Sequence, residues 1–428
     1  MQCPHFDAGE CRSCPLMGVP YAEQLDRKQA GVRRLLDPVA GTRAPDGSEL
    51  WLEPVPSRES GFRNKAKMVV TGTAENPRLG ILDPRQHPKH HDGTGVDLRD
   101  CGLYEPALGA AFPVVAGIIT TAALTPYNVG TRTGELKHVI MTLSPSGGLM
   151  IRFVLRSTDQ LPAVRAAVPT LLAALPNTEV VTANLLPEHR ALLEGPDEIH
   201  LAGAQTLTMR LNGIPLNLRP QGFFQTNTAM AATLYSLASE WLDTTDAVSV
   251  WDLYCGVGGF GFQLAEVRPP DGGRPVLLPA GTERTVWGLE TSADAVAAAQ
   301  VTARELGVQD RVRFAVGDAT AIPTGRTPDR APVLAPKGPP AADTGAGEVP
   351  AEPPDAIVVN PPRRGIGSEL AGWIEATGIP HVLYSSCHAA TLARDLEHLP
   401  GYRPVRARLL DMFPQTEHYE VLMLLERR

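Results

Sequence analysis

The chain has 428 residues, 43% of them hydrophobic, and a formal net charge of −8. Its length exceeds what one ordinary core organises, which predicts two or three domains. It has no apolar run long enough to cross a membrane and no secretory signal pattern at residues 1–5, so we expect a cytoplasmic protein without a membrane partner. The acidic balance argues against a nucleic-acid partner unless basic side chains form a local patch.

Three cysteines, Cys3, Cys11 and Cys14, lie in the first fourteen residues, and Cys101 lies far along the chain. Disulfides are not expected in a cytoplasmic protein of this size. Four thiolates suit either zinc or an iron–sulfur cluster, and the spacing differs from the tighter array of radical S-adenosylmethionine (AdoMet) enzymes. We therefore predict a structural metal site in a segment 1–50 that Cys101 completes.

The next part of the chain changes from helical to alternating patterns. A helix is predicted over residues 21–36, with one solvated face made of Glu23, Arg27, Lys28, Arg33 and Arg34. Residues 51–220 predict an α+β domain with strands at 65–70, 137–143 and 149–155 and a helix at 161–175.

Two segments of this middle part could contact RNA. Arg63, Lys65 and Lys67 alternate along a predicted strand, which indicates either a stripe that contacts phosphates or merely an exposed basic face. Residues 219–227 combine two aromatic side chains with amides, a composition that suits a flipped base or core packing equally well. The domain is accordingly predicted to bind RNA.

Residues 221–428 follow a strand–turn–helix rhythm. Strands are predicted at 248–253, 285–290, 312–316, 355–359, 381–384 and 419–425. This alternation predicts a doubly wound parallel sheet. Residues 323–354 are rich in proline, alanine and glycine, and we expect a mobile, disordered surface insertion there without a catalytic role. Residues 269–281 predict a second, smaller insertion.

The turn after the first of these strands predicts a cofactor site. Glycines 256, 258 and 259 let the backbone bend tightly towards a ligand at a helix N-terminus, but their spacing is not the dinucleotide fingerprint. Glu290 closes the second strand, where it could bind ribose hydroxyls, and Asp318 closes the third, where methyltransferases usually contact adenine. The series favours AdoMet over NAD.

Three further residues stand where neighbouring strands end. The prolines after Asn360 force the chain out of the sheet and leave the Asn360 side chain in the crevice. Cys387 follows the fifth strand, where it is either a small buried hydrophobe or a nucleophile that could add to C6 of uracil. Glu420 is the candidate base for the C5 proton, although a surface carboxylate is the commoner role for such a residue.

Together these motifs resemble the RNA uracil-5-methyltransferase family, most closely its 23S ribosomal RNA branch. Nearly the whole chain takes part, through Cys11-Arg12-Ser13-Cys14, Gly61-Phe62-Arg63-Asn64-Lys65, Leu124-Thr125-Pro126-Tyr127-Asn128, Phe223-Phe224-Gln225-Thr226-Asn227, the glycine turn, Asn360-Pro361-Pro362-Arg363-Arg364-Gly365 and Asp411-Met412-Phe413-Pro414. Relatives outside this branch often carry an N-terminal RNA-binding barrel, for which Cys3 leaves no room here.

The resemblance implies a fold, a reaction and a set of site residues. The implied fold is an α/β, Rossmann-like class I AdoMet methyltransferase domain over 221–428, preceded by an iron–sulfur segment and a central RNA-binding domain. The implied substrate is a uridine of 23S rRNA. For oligomeric state, which the sequence does not indicate, we take a monomer without an obligatory protein partner as the default. The implied residues are Cys387 as nucleophile, Glu420 as base, Gln225, Tyr254, Glu290 and Asn360 at AdoMet, and Cys3, Cys11, Cys14 and Cys101 on a [4Fe-4S] cluster.

Three alternatives remain open at this point. The same chemistry could act on tRNA, or on two sites in rRNA. A non-catalytic AdoMet-binding rRNA assembly factor would retain the cofactor turn without needing the thiol. A glutamine or adenine N-methyltransferase would place the methyl group on nitrogen and would not need Cys387.

Overall fold

The computed structural model describes residues 1–266, 279, 281–324, 350 and 352–428. Most of the two predicted insertions, 269–281 and 323–354, therefore lies outside the described residues. Within the described part, no helix is both long enough and apolar enough to cross a membrane.

The N-terminal half of the chain forms two helices and then a seven-stranded sheet. The helices are α1 (Pro4–Asp7) and α2 (Tyr21–Ala40). The strands are β1 (Lys65–Gly72), β2 (Pro77–Leu82), β3 (Gly95–Asp97), β4 (Leu136–Leu143), β5 (Leu149–Leu155), β6 (Thr178–Leu185) and β7 (Asp197–Gly203). A short 3-10 helix, Pro88–His90, lies between β2 and β3.

This first sheet is built on an apolar face. Its order is β3-β2-β1-β4-β5-β6-β7, and all neighbours are antiparallel except β5 and β6. Helices α3 (Pro106–Thr121) and α4 (Leu161–Ala174) pack on one face, where Phe112 and Phe153 are fully buried. The strands and the helix predicted between residues 65 and 175 are confirmed.

A second seven-stranded sheet follows a small hairpin. The hairpin strands are β8 (Leu207–Leu211) and β9 (Ile214–Leu218). The sheet strands are β10 (Ser249–Leu253), β11 (Thr285–Glu290), β12 (Val312–Val316), β13 (Ala356–Val359), β14 (His381–Ser386), β15 (Tyr402–Leu410) and β16 (Glu420–Arg427). The helices are α5 (Thr228–Leu242), α6 (Gly259–Leu264), α7 (Ala293–Glu305), α8 (Gly367–Thr377) and α9 (Ala389–Leu396), with a 3-10 helix at Ala319–Thr324.

The order of this sheet is β12-β11-β10-β13-β14-β16-β15. The first five strands are parallel, as predicted, but β16 runs antiparallel between β14 and β15. The prediction of an all-parallel sheet is wrong at this edge because a loop of residues 411–419 joins β15 and β16 as a hairpin. Strand β15 escaped prediction because arginines and a proline interrupt its apolar alternation.

Helix α2 and the residues after it pack on the second sheet. Val32 and Leu36 of α2 belong to the core on one face of that sheet, and Trp51 forms a bridge to Ala407 of β15. The prediction of a solvated charged face is wrong for Lys28, whose side chain is only 2% exposed. Hairpin β8–β9 packs on the other face of the sheet, with α5 and α7.

Candidate active site

The carboxyl ends of the parallel strands lie side by side in the second sheet. Leu253 pairs with Leu289 and with Val359, and Val359 pairs with Tyr384, so β10, β11, β13 and β14 end at one level. In open α/β sheets, ligands bind in the crevice beyond these ends. The predicted residues of both the cofactor and the catalytic set lie at this edge.

The glycine turn after β10 is shaped by positive φ angles. Tyr254 and Gly256 have φ of 66° and 53°, a region that glycine adopts freely and other residues adopt only under constraint. The N–H of Tyr254 donates to the carbonyl of Leu289 at 2.9 Å, and the N–H of Gly256 donates to Glu290 Oε2 at 3.1 Å. Among the described residues, no atom outside Gly256 and its two chain neighbours lies within 4 Å of the position that a Cβ on Gly256 would occupy, which leaves room there for a ligand.

The acidic residues of the cofactor series follow the neighbouring strands. Glu290 is half-buried, and its second oxygen accepts the N–H of Ser292 at 2.9 Å. Asp318 is exposed and accepts the N–H and hydroxyl of Thr320 at 2.9 and 2.8 Å. The Tyr254 hydroxyl is buried with no hydrogen-bond partner in the described part of the chain, and burial followed by the charge of Asp318 raises the pKa of Tyr254 to about 12.

Gln225, the other predicted cofactor residue, lies in the segment before α5. It is half-buried, and its carbonyl accepts the Asn64 amide at 3.3 Å. Two residues later, the Asn227 amide donates to the carbonyl of Met412 at 3.1 Å and to the Ser57 hydroxyl at 2.9 Å. These bonds attach the Gln225 segment to the loop between β15 and β16.

Asn360, Ser385 and Glu420 form a buried hydrogen-bonded group. Asn360 Nδ2 donates to Glu420 Oε1 and to Ser385 Oγ, both at 2.9 Å, and Ser385 Oγ donates to the same Glu420 oxygen at 2.5 Å. Burial raises the pKa of Glu420 to about 7, against the two hydrogen bonds, which lower it. A carboxyl group with this pKa can accept a proton near neutral pH.

This geometry corrects the preference for a surface role at Glu420. The residue is only 2% exposed because it begins β16, which is inserted between two strands of the sheet. Its neighbour Val421 pairs with Ser386, which places Glu420 next to the chain that leads from β14 into Cys387.

Cys387 is influenced by two charged side chains, Glu420 and Arg363. Its thiol is half-buried, and its pKa is raised, first by burial and then by the charge of Glu420, whereas Arg363 lowers it by its charge and a hydrogen bond. Arg363 also contacts His418, at 3.2 Å from Nη2 to Nδ1. The thiol is therefore protonated in the resting site, and Arg363 is the side chain that favours the thiolate.

The other predicted cysteines lie together, away from this crevice. Cys3, Cys11, Cys14 and Cys101 line one cavity of about 170 Å³. Burial and then the charges of the other three thiols raise the pKa of Cys14 to about 12. Among the described residues, no three acidic, histidine or cysteine side chains are grouped as the ligands of a single metal ion would be.

Of the basic stripe, only Lys67 is exposed. Arg63 and Lys67 line the cavity of the four cysteines. Lys65 Nζ donates to the carbonyl of Gly222 at 3.4 Å, and burial lowers the pKa of Lys65 to about 8. The three side chains therefore do not form one uniform charged face.

Comparisons with known proteins identify the family. A family model described as tRNA (Uracil-5-)-methyltransferase matches residues 353–428, and one described as Methyltransferase domain matches residues 244–331. The chain is 42% identical over 428 residues to the 23S rRNA (uracil(747)-C(5))-methyltransferase RlmC of Pectobacterium atrosepticum, which covers 100% of both chains. It is 41% identical to that of Haemophilus influenzae, over 100% of this chain and 99% of the relative. The chain belongs to the RNA uracil-5-methyltransferase family.

A solved structure of the family supports the fold. The crystal structure of Pyrococcus abyssi tRNA (uracil-54, C5)-methyltransferase in complex with S-adenosyl-L-homocysteine has a TM-score of 0.71 and 21% sequence identity. The likeness covers 96% of this chain and 85% of that one. The second sheet therefore has the class I methyltransferase fold.

Four residues at the site were not predicted from the sequence: Ser385, Arg363, Asp252 and Asp395. Arg363 stands inside a quoted motif and Ser385 lies two residues before Cys387, but only the structure shows the bond of Ser385 to Glu420 and the influence of Arg363 on Cys387. Asp252 is fully buried, accepts the N–H of Gly261 at 2.8 Å and has a pKa raised by burial to about 7.

The fourth missed residue, Asp395, has no local motif at all. It is buried in α9, where its carboxylate accepts the Tyr384 hydroxyl at 2.7 Å and the N–H groups of Ile366 and Gly367 at 2.9 and 3.2 Å. It therefore fixes the loop after Asn360 against the strand that leads to the nucleophile.

Proposed function

We propose that this protein transfers a methyl group from AdoMet to C5 of a uridine in 23S rRNA, the one corresponding to uracil 747 in the relatives' names, giving 5-methyluridine. The full-length identity to relatives with that activity supports the substrate. The observation that carries the mechanism is the buried carboxyl of Glu420, which Asn360 and Ser385 bond at the strand end that leads into Cys387. The charges of Glu420 and Arg363 act on the pKa of the Cys387 thiol in opposite directions.

The nucleophile makes the first covalent bond. The Cys387 thiolate attacks C6 of uracil, the C5–C6 double bond becomes an enolate, and C5 becomes nucleophilic. Arg363 assists because its positive charge favours the thiolate form of Cys387. AdoMet supplies the electrophilic methyl group that C5 takes up.

The base completes the reaction. After methylation C5 still carries its proton, and Glu420 removes it so that the C5–C6 double bond re-forms and the Cys387 sulfur leaves. Asn360 and Ser385 both bond one oxygen of Glu420, which fixes the carboxyl while its other oxygen takes the proton. A pKa of about 7 matches the group to this task near neutral pH.

The AdoMet contacts are assigned to Gln225, Tyr254, Glu290, Asp318 and Asn360. Two observations fit a bound cofactor: the open side of Gly256 and the unpartnered, buried hydroxyl of Tyr254. Glu290 and Asp318 are placed to accept hydrogen bonds from a nucleoside, since each is at a strand end next to the turn.

We further propose that Cys3, Cys11, Cys14 and Cys101 hold a [4Fe-4S] cluster. Their shared cavity and the mutual influence of their charges support a common ligand. The four sulfurs of such a cluster bind different iron atoms, so they need not converge on one point. The test is the iron content and visible absorbance of anaerobically purified protein; bound zinc without iron would overturn this assignment.

The test of the reaction is mass-spectrometric mapping of methylated uridine. Purified protein with AdoMet should methylate one uridine of 23S rRNA, and Cys387→Ser protein should methylate none. Methylation of tRNA instead of rRNA would overturn the substrate, and methylation by the Cys387→Ser protein would overturn the thiol mechanism. An absence of any RNA methylation by the wild type would favour the assembly-factor alternative.

A further inference from the structure

Helix α2 carries two buried polar side chains that the reaction described above does not use. Lys28 Nζ donates to Asp411 Oδ1 at 2.5 Å and to the carbonyl of Phe413 at 3.1 Å, and the side chains of Lys28 and Asp411 are 2% and 0% exposed. Gln24 is also fully buried. Both side chains point at the loop of residues 411–419 between β15 and β16.

Most of the polar groups of Gln415 in that loop are bonded by the N-terminal part of the chain. Gln24 accepts the Gln415 N–H at 2.9 Å and donates to Gln415 Oε1 at 3.0 Å. The N–H of Leu16 donates to the Gln415 carbonyl at 3.1 Å, and Gln415 Nε2 donates to Glu59 at 3.3 Å. Leu16 is two residues after Cys14, so the cysteine segment contacts the loop directly.

The loop is held in a conformation that it would not adopt unaided. Gln415 has a φ of 67°, in the left-handed region that costs a residue other than glycine free energy unless its surroundings hold it. Two of the hydrogen bonds that hold Gln415 in this conformation come from the side chain of Gln24.

The loop delivers the catalytic groups to the crevice. It contains His418, which contacts Arg363 beside the nucleophile, and it ends at Glu420. Leu410 and Glu420 pair across the hairpin, so the position of Glu420 depends on the conformation of the nine residues between them.

A role in stability alone does not account for this pattern. A buried ion pair is weak evidence for stability, because well-packed apolar residues often replace it without loss. Here the ammonium group of Lys28 and the amide of Gln24 both bind one short loop. Such an arrangement fixes the conformation of that loop.

We propose that Gln24 and Lys28 are positioning residues for proton removal by Glu420: they hold the loop 411–419 so that the carboxyl group reaches C5. This inference rests on the proposed function. It extends the active site to a helix that lies outside the class I methyltransferase sheet, and it connects the cysteine segment to the catalytic base.

The test compares Gln24→Ala, Lys28→Met and the double variant Lys28→Met/Asp411→Leu with Glu420→Gln and wild type. Each full-length protein is mixed with AdoMet and unmodified rRNA, and the protein–RNA adduct that survives denaturation is measured along with kcat and KM. Slower proton removal leaves more protein in the adduct. We expect kcat to fall roughly 10- to 100-fold, with KM for RNA and AdoMet within about twofold, and we expect adduct to accumulate.

The matched control is Val32→Ala, one turn further along α2, which removes buried packing against the sheet at an apolar side chain that makes no hydrogen bond to the loop. It should lower the unfolding temperature as much as Lys28→Met without any adduct. The double variant should regain thermal stability, since both charges are gone, and should still accumulate adduct.

Three results would count against the proposal. If Gln24→Ala and Lys28→Met form no more adduct than Val32→Ala while Glu420→Gln forms it, the positioning role is wrong and the proposed function stands. If the double variant regains wild-type kcat, the pair serves stability alone. If neither wild type nor Glu420→Gln engages uridine, the proposed function itself fails.

Discussion

At the ends of β10, β11 and β12 the crevice offers backbone N–H groups and two carboxylates, Glu290 and Asp318, that reach solvent. At the ends of β13, β14 and β16 it offers Asn360, Ser385 and Glu420, which are bonded to one another. Ser385 and Glu420 are buried, and Asn360 is half-buried. The first half, which we call the cofactor half, can bind a ligand through separate contacts. The losses of binding free energy from removing these contacts one by one should therefore add up. The second half acts as one unit, so a single change should disable it.

The largest expected effect is that of Cys387→Ala. Without the thiol no covalent bond to C6 forms and C5 stays unreactive, so we expect the rate of methylation to fall by at least about 10⁴-fold. AdoMet affinity, measured by calorimetry, should stay within about twofold of wild type because the cofactor half is separate. A large loss of AdoMet binding would show that the two halves are not independent.

Glu420→Gln should stop the reaction one step later. The amide cannot take the C5 proton, so we expect turnover to fall about 10²- to 10⁴-fold while methylated RNA stays bonded to the protein. Gel electrophoresis under denaturing conditions measures the adduct. The pH–rate profile of the wild type should have a limb near pH 7, and this limb should be absent from the profile of Glu420→Gln. If the variant kept the limb unchanged, a group other than Glu420 would be its cause.

Glu290→Ala should weaken the cofactor half without affecting the chemistry. Losing a charged hydrogen-bond acceptor should raise KM for AdoMet roughly 10- to 100-fold at nearly constant kcat. Asp318→Asn is the matched comparison and should raise KM only a few-fold, because that carboxylate is exposed. A fall in kcat as large as that of Glu420→Gln would contradict the separation of the halves.

The smallest expected effect is on stability, and it should appear in both halves. Burial holds the pKa of Asp252 and of Glu420 at about 7, above their values in an unfolded chain. Between about pH 4.5 and pH 7 the unfolded chain has lost these protons while the folded chain keeps them, so stability falls as pH rises and levels off above pH 7.

Asp252→Asn and Glu420→Gln should therefore each raise the free energy of unfolding at pH 8 by on the order of 1–3 kcal/mol relative to wild type. Urea denaturation would show this gain as a higher midpoint. The gain should vanish near pH 4.5. An equal gain at both pH values would mean that the ionisation of these carboxyls is not its cause.

Local sequence was sufficient for the cofactor half. The turn at Gly256 requires a backbone that glycine allows, and strands alternating with helices require a parallel sheet, so both can be predicted from neighbouring residues. The burial of Glu420 could not be predicted in this way, because it depends on the insertion of β16 between β14 and β15. Strand β15 itself is hard to recognise in the sequence, since arginines interrupt its apolar pattern.

Distant contacts explain the other failures. Lys28 has an unremarkable place in a charged helix, and only Asp411, far along the chain, makes it a buried residue. Asp395 bonds Tyr384 and the loop after Asn360 from a helix that carries no signal of its own. The cysteine pattern predicted a metal site of four residues, and those four line one cavity in the structure. The cluster itself stays a prediction.

The place of β16 in the sheet has a consequence for protein synthesis. The nucleophile and its support loop are complete once β14 and α9 have emerged from the ribosome, whereas the base arrives only with the strand that must slot between β14 and β15. A nascent chain ending at β15 would contain Cys387 but lack Glu420, the group that we propose removes the C5 proton after methylation. Insertion of β16 therefore brings the proposed base to the proposed nucleophile, so that methylation of uridine and release of the product become possible at the same time.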